Sequence, residues 1–95
     1  MTNKQIMQCA KIACHYGLSK QREILVEECA ELIQAVCKMK RNNEVVSENF
    51  IEALADVSIM IEQMVLMLSN DNRSKFLDKI DFKLYRQTER MRSEE

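Results

Sequence analysis

A single glycine and no proline in 95 residues leave this chain almost nowhere to turn sharply. Tight turns draw on those two residues, glycine for its left-handed backbone and proline for its fixed φ. A sheet needs several such turns, so the chain reads as all-α, a compact single domain of long helices joined by short polar loops. Its length fits one domain. Apolar residues make up 46% of it, enough for a core and too many for a disordered chain. A core this small is commonly completed by a second copy.

Hydrophobic periodicity divides the chain into four helices. The first is expected to begin after Thr2 or Asn3, either of which can cap it, and to stop at Gly17. Ile6, Cys9, Ala10, Ala13 and Tyr16 recur along it at helical spacing. The second, capped by Ser19, runs to about Arg41; its stripe from Leu25 through Cys29, Leu32 and Val36 is wide enough to face more than one neighbour. Residues 42–47 form a loop broken by Asn42-Asn43. The third, capped by Ser47, spans residues 48–68 and is apolar nearly all round in its second half, which places it at the centre and near a subunit interface. Residues 69–72 break the chain again. The fourth helix is expected from Arg73 or Ser74 to Arg92, with a frayed tail at 93–95.

The charge balance narrows the partners. Fourteen basic and 15 acidic residues give a net charge of −1, which offers no bulk attraction to nucleic acid or to an anionic membrane. Aromatics at 5% leave few platforms for stacking bases. No apolar run approaches the ~18 residues of a membrane span. The opening MTNKQIMQCAK lacks the apolar centre of a signal peptide, so a cytoplasmic protein is expected. Cys9, Cys14, Cys29 and Cys37 match no metal or redox spacing and are read as buried, reduced thiols. His15 lies near a helix end, where its partial positive charge is favourable, and no nucleophile is paired with it.

The chemistry gathers on the second and third helices. At about 100° per residue, Glu23, Glu27 and Glu31 form one stripe with Glu28 on its shoulder. Glu48, Glu52 and Asp56 form another, and beyond Asp56 that face continues as Ile59, Met60, Gln63 and Met67. Like charges at this spacing repel by about 0.2–0.5 kcal/mol per pair, and a buried, unpaired carboxylate costs more or takes up a proton. Antiparallel packing of the two helices lets their acids converge on one divalent cation. An all-oxygen donor set suits Mg²⁺, or Mn²⁺, and the lack of His or Cys among these acids argues against Zn²⁺. On the last helix Lys75, Lys79, Lys83, Arg86 and Arg90 fall within a stripe of about 80°.

The string Val26-Glu27-Glu28-Cys29-Ala30-Glu31-Leu32 resembles the EExxE signature of the MazG-like, all-α nucleoside triphosphate pyrophosphohydrolases. Ile51-Glu52-Ala53-Leu54-Ala55-Asp56-Val57 occupies the place of that family's second motif, ExxD, on the next helix. The resemblance extends over roughly residues 20–90 and includes Ile33-Gln34-Ala35 after the first motif and Asn49-Phe50 before the second. It implies a four-helix, MazG-like domain that dimerises or forms a dimer of dimers. The implied reaction is Mg²⁺-dependent hydrolysis of a nucleoside triphosphate to its monophosphate and pyrophosphate. Glu28, Glu31 and Asp56 become metal ligands, Glu27 a ligand or the base that orients water, and Lys83 and Arg86 contacts to the substrate phosphates. One position departs from the pattern. Ala53 stands where the family carries the glutamate of ExxD, and Glu52 lies one place earlier as a replacement ligand. The departure raises a second reading, a non-catalytic binding or regulatory protein of the same fold.

Overall fold

The structure, a computed structural model, describes residues 1–95. It is all-helical, with α1 (Asn3–Arg41), α2 (Glu48–Leu66) and α3 (Asn70–Glu94), and no strand. The start of α1 follows from a reciprocal cap. The Thr2 hydroxyl accepts from the Gln5 N–H at 3.1 Å, and the Gln5 side chain accepts from the Thr2 N–H at 2.8 Å.

The first two expected helices are joined into α1, so the chain has three helices where periodicity suggested four. The backbone does leave helical geometry at the expected stop, Gly17, with φ 82° and ψ 168°, so α1 consists of two helical rods that meet at a kink without an intervening loop. Nothing lies within 4 Å of where a Cβ would sit. The glycine is therefore required by its backbone rotation and not by space. Ser19, expected to cap a new helix, follows directly in the continuing helix.

Ser47 caps α2 as its sequence position suggests, accepting from the Phe50 N–H at 3.2 Å. The next boundary lies earlier than expected. Ser69 accepts from the Asn72 N–H at 3.2 Å, so the polar string read as a breaker is a cap and the first turn of α3. At its other end α3 runs on to Glu94, past the expected stop at Arg92. Arg73 secures the corner between α2 and α3 by donating to the Leu66 carbonyl at 3.1 Å, a cation at a helix C-terminus.

The core is the seam between α1 and α2. Cys9, Ala13 and Ala35 are buried from one side, and Ala53, Val57 and Met60 from the other. Small residues dominate, which lets the helix backbones approach closely. Two amides are also shut into this seam. Gln21 and Gln63 are 1% and 2% exposed, and Gln21 Nε2 donates to Gln63 Oε1. A buried amide pair left unmade costs about 1–3 kcal/mol per group, so this contact holds the two helices at one longitudinal alignment.

The expectation of a compact chain is not met. The radius of gyration is 16.2 Å, against about 12 Å for a compact domain of this length. The reason is α3, which has no buried residue. Only 8 of 95 residues are buried in all. The expectation of four buried thiols also fails. Cys9 is buried and Cys29 half-buried, whereas Cys14 and Cys37 are exposed, because they stand on faces of α1 that α2 does not cover. No helix is long and apolar enough to cross a membrane.

Candidate metal centre

Because α1 and α2 run antiparallel, residues further along α1 face residues earlier on α2. Gln21 meets Gln63, and Glu28 meets Asp56. Glu31, one turn on from Glu28, completes a cluster in which the carboxylate oxygens of Glu28, Glu31 and Asp56 all lie within 4.8 Å of one another. Glu31 and Asp56 are exposed, while Glu28 is half-buried beneath them.

Glu28 is the strained member. Its Oε2 is buried and has no hydrogen-bond partner. Burial pushes its carboxyl above the ordinary value of 4.5, and the negative charges of Asp56 and Glu31 push it the same way. Once protonated it can donate to Glu31 or Asp56, which further favours the neutral form. No cationic side chain pairs with any of the three, the salt bridges of the chain being Lys20–Glu23 at 3.9 Å and Glu89–Arg92 at 3.2 Å. An orphaned carboxylate oxygen among hard oxygen donors fits a divalent cation of the Mg²⁺ type.

The other acids of the two motifs stand outside the cluster. Glu27 is exposed and, one residue from Glu28, is turned about 100° away. Glu52 is exposed on the rim of a cleft that opens beside the cluster. This cleft has a volume of about 210 Å³ and is lined by Glu31, Gln34, Ala35 and Lys38 of α1 and by Asn49, Glu52, Ala53 and Asp56 of α2. Ala35 and Ala53, each 6% exposed, form its floor. Lys38, Gln34 and Asn49 were not singled out by sequence reasoning as cleft residues. The signal was available, since Glu31, Gln34 and Lys38 share one helical face.

Lys83 and Arg86 are not among the residues that line this cleft. They border a separate shallow cavity on α3 with Gln87 and Arg90, and Arg86 lies over the Phe82 ring at 5.8 Å.

The position of Ala53 sets an expectation for the departure from ExxD. Ala53→Glu puts a fourth acid into the cleft, at its floor, and should lower the melting temperature of the metal-free chain, by the equivalent of about 1–3 kcal/mol. Glu52→Gln, at the rim, should leave both that temperature and its rise with Mg²⁺ within about 0.5 kcal/mol of wild type. Thermal melts of the two variants with and without Mg²⁺ check this, and a Glu52→Gln variant that loses the Mg²⁺ response would make Glu52 a ligand. Comparison with protein-family models, curated proteins and solved structures finds no match for this chain.

Proposed function

We propose that this chain is a Mg²⁺-dependent nucleoside triphosphate pyrophosphohydrolase of MazG-like fold, with Mn²⁺ as an alternative cation. The observation that carries the proposal is the Glu28–Glu31–Asp56 cluster with its orphaned Glu28 oxygen. The kink at Gly17 divides α1 into two rods, which supports counting the fold with four-helix domains. The cleft beside the cluster supports a polar, elongated substrate.

Glu28, Glu31 and Asp56 would hold the cation. When bound, it would neutralise triphosphate charge and render a coordinated water acidic. One oxygen of Glu28 would take the proton of the attacking water as the new phosphorus–oxygen bond forms, the other oxygen holding the cation. The bond between the α-phosphorus or β-phosphorus and their bridging oxygen breaks, and its electron pair leaves with that oxygen. The products are the nucleoside monophosphate and pyrophosphate. Glu27, exposed and turned about 100° from Glu28, would have to reach round the helix to orient that water. The free thiols and the nucleotide substrate suit a cytoplasmic setting.

The same reading assigns a homodimer or a dimer of dimers. Large apolar side chains are exposed along the single chain, among them Ile59 and Ile61 of α2 and Leu77, Ile80 and Leu84 of α3.

Ala53 favours one other reading, a non-catalytic nucleotide-binding protein of the same fold. Pyrophosphate release from a panel of nucleoside triphosphates, with millimolar Mg²⁺ and Mn²⁺, separates the two. The expected result is release from at least one nucleotide, together with a rise in melting temperature that Asp56→Asn removes. Release from none of them, with the metal-induced rise intact, overturns the enzyme and leaves the binding protein.

A further inference from the structure

We infer that the cleft between α1 and α2 is a polyphosphate subsite in which Lys38 takes the terminal phosphate, and that it selects the substrate by its phosphate chain and not by its base. This rests on the metal-dependent reading above and extends it to the side of the site that the acid motifs do not cover. Three features of the cleft carry it. Lys38 is the one cation in its lining, and no carboxylate lies within 4.0 Å of it to neutralise it. Lys38 is seven residues beyond Glu31, a rise of about 10 Å along α1, so the cluster and the ammonium bracket an extended anion. Finally, the lining contains no aromatic side chain, which leaves nothing for a base to stack on.

The floor supports the same occupant. Ala35 and Ala53 present methyl groups there, and the amides of Gln34 and Asn49 flank it. Such a channel offers hydrogen bonds to phosphate oxygens and room for a chain of them. The carboxylates of Glu31, Glu52 and Asp56 outweigh the single charge of Lys38, so a bare polyphosphate is repelled. The phosphate chain therefore enters only with a divalent cation, which fixes the sign of the metal dependence. This places the phosphate-binding cation on α1, within the same chain as the acids, and distinguishes it from the Lys83–Arg86 pair on α3.

The test is calorimetric titration of the full chain with inorganic tripolyphosphate, with and without Mg²⁺, beside a nucleoside monophosphate. Wild type is expected to bind tripolyphosphate only with Mg²⁺, and more tightly than the monophosphate. Lys38→Met is expected to weaken tripolyphosphate about 10- to 100-fold, with the Mg²⁺-induced rise in melting temperature unchanged, and Lys38→Arg to restore most of the affinity. Equal tripolyphosphate affinity in wild type and Lys38→Met, with the Mg²⁺ response intact in both, overturns the Lys38 assignment alone. Tighter binding of the monophosphate than of tripolyphosphate overturns the selection by phosphate chain. A wild type without any Mg²⁺ response overturns the metal reading on which the inference stands.

Discussion

Replacing Glu28 by glutamine is expected to make the metal-free chain more stable and to abolish pyrophosphate release. The two effects have one origin. In the metal-free chain Glu28 holds a charge against Asp56 and Glu31 with its Oε2 buried and unpartnered. Glutamine keeps the shape, removes the charge, and supplies an N–H that either neighbour can accept. A hydrogen bond of that kind, with the repulsion gone, contributes about 1 kcal/mol or more, or roughly 4–8 °C in melting temperature for a domain of this size. The same change takes away a cation ligand and the proton acceptor, so activity should fall at least about 100-fold, equivalent to some 2.7 kcal/mol of barrier.

The pH dependence follows in sign. The folded chain binds the Glu28 proton more readily than the unfolded chain, whose value is 4.5. The stability contributed by that proton is complete below 4.5 and is lost as pH rises through the higher folded value. At neutral pH Glu28 therefore works against the metal-free fold, and the advantage of glutamine should shrink as the pH is lowered toward 4.5. Melting curves of both proteins with a chelator, from neutral pH downward, measure this. Parallel curves, with glutamine no more stable at neutral pH, would contradict the strained-carboxylate account.

A second large effect is expected from α3. Leu77, Ile80, Leu84 and Met91 fall within about 60° of one another on its surface, and each is exposed in the single chain. Lys75, Lys79, Lys83, Arg86 and Arg90 occupy the opposite side. An amphipathic helix with its apolar stripe in water is the picture of a surface awaiting cover. Covering that stripe contributes on the order of 1 kcal/mol for each half-exposed side chain, about 4 kcal/mol per copy. The chain should therefore have at least twice its single-copy mass of 11.2 kDa by light scattering. The Leu77→Glu, Leu84→Glu double variant should fall to the single-copy mass and melt more than about 10 °C lower. A wild type that is already single-copy at micromolar concentration, with a double variant that melts at the same temperature, rules out α3 as the interface.

The all-helical class was legible because the shortage of turn residues admits little else, and the Ser47 cap and the 42–47 loop were legible from local chemistry. The three acids of the cluster could be read from spacing, since antiparallel helices with acidic stripes on facing sides have few ways to arrange them. Local signals misled where one residue type serves two ends. Gly17 does interrupt the helix, but in a single residue with helix on both sides, so no loop follows it and Ser19 has no new helix to cap. Ser69-Asn70-Asp71-Asn72 looks like a breaker, yet Ser69 starts a helix that the following polar residues continue. The detachment of α3 left no mark in periodicity, which reports that a face is apolar but not which surface covers it. Lys38 was missed for a related reason. A single lysine on a helix surface carries no pattern until the opposing helix forms a cleft beside it.

The amide pair in the core has a consequence for the chemistry two turns away. Glu28 follows Gln21 by seven residues on α1, and Asp56 precedes Gln63 by seven on α2. Seven residues further, Ala35 and Asn49 both line the cleft. Glutamine pair, acid pair and cleft are thus successive rungs of one ladder with a heptad interval. Sliding either helix by a turn, about 5.4 Å, would strand both amides in a dry seam and part the acids at once. The apolar contacts of small residues such as Ala35 and Ala53 would resist that slip only weakly, because one alanine surface matches the next almost as well. The amides therefore act as a vernier: a neutral pair, remote from any substrate, keeps mutually repelling charges in step along the whole hairpin.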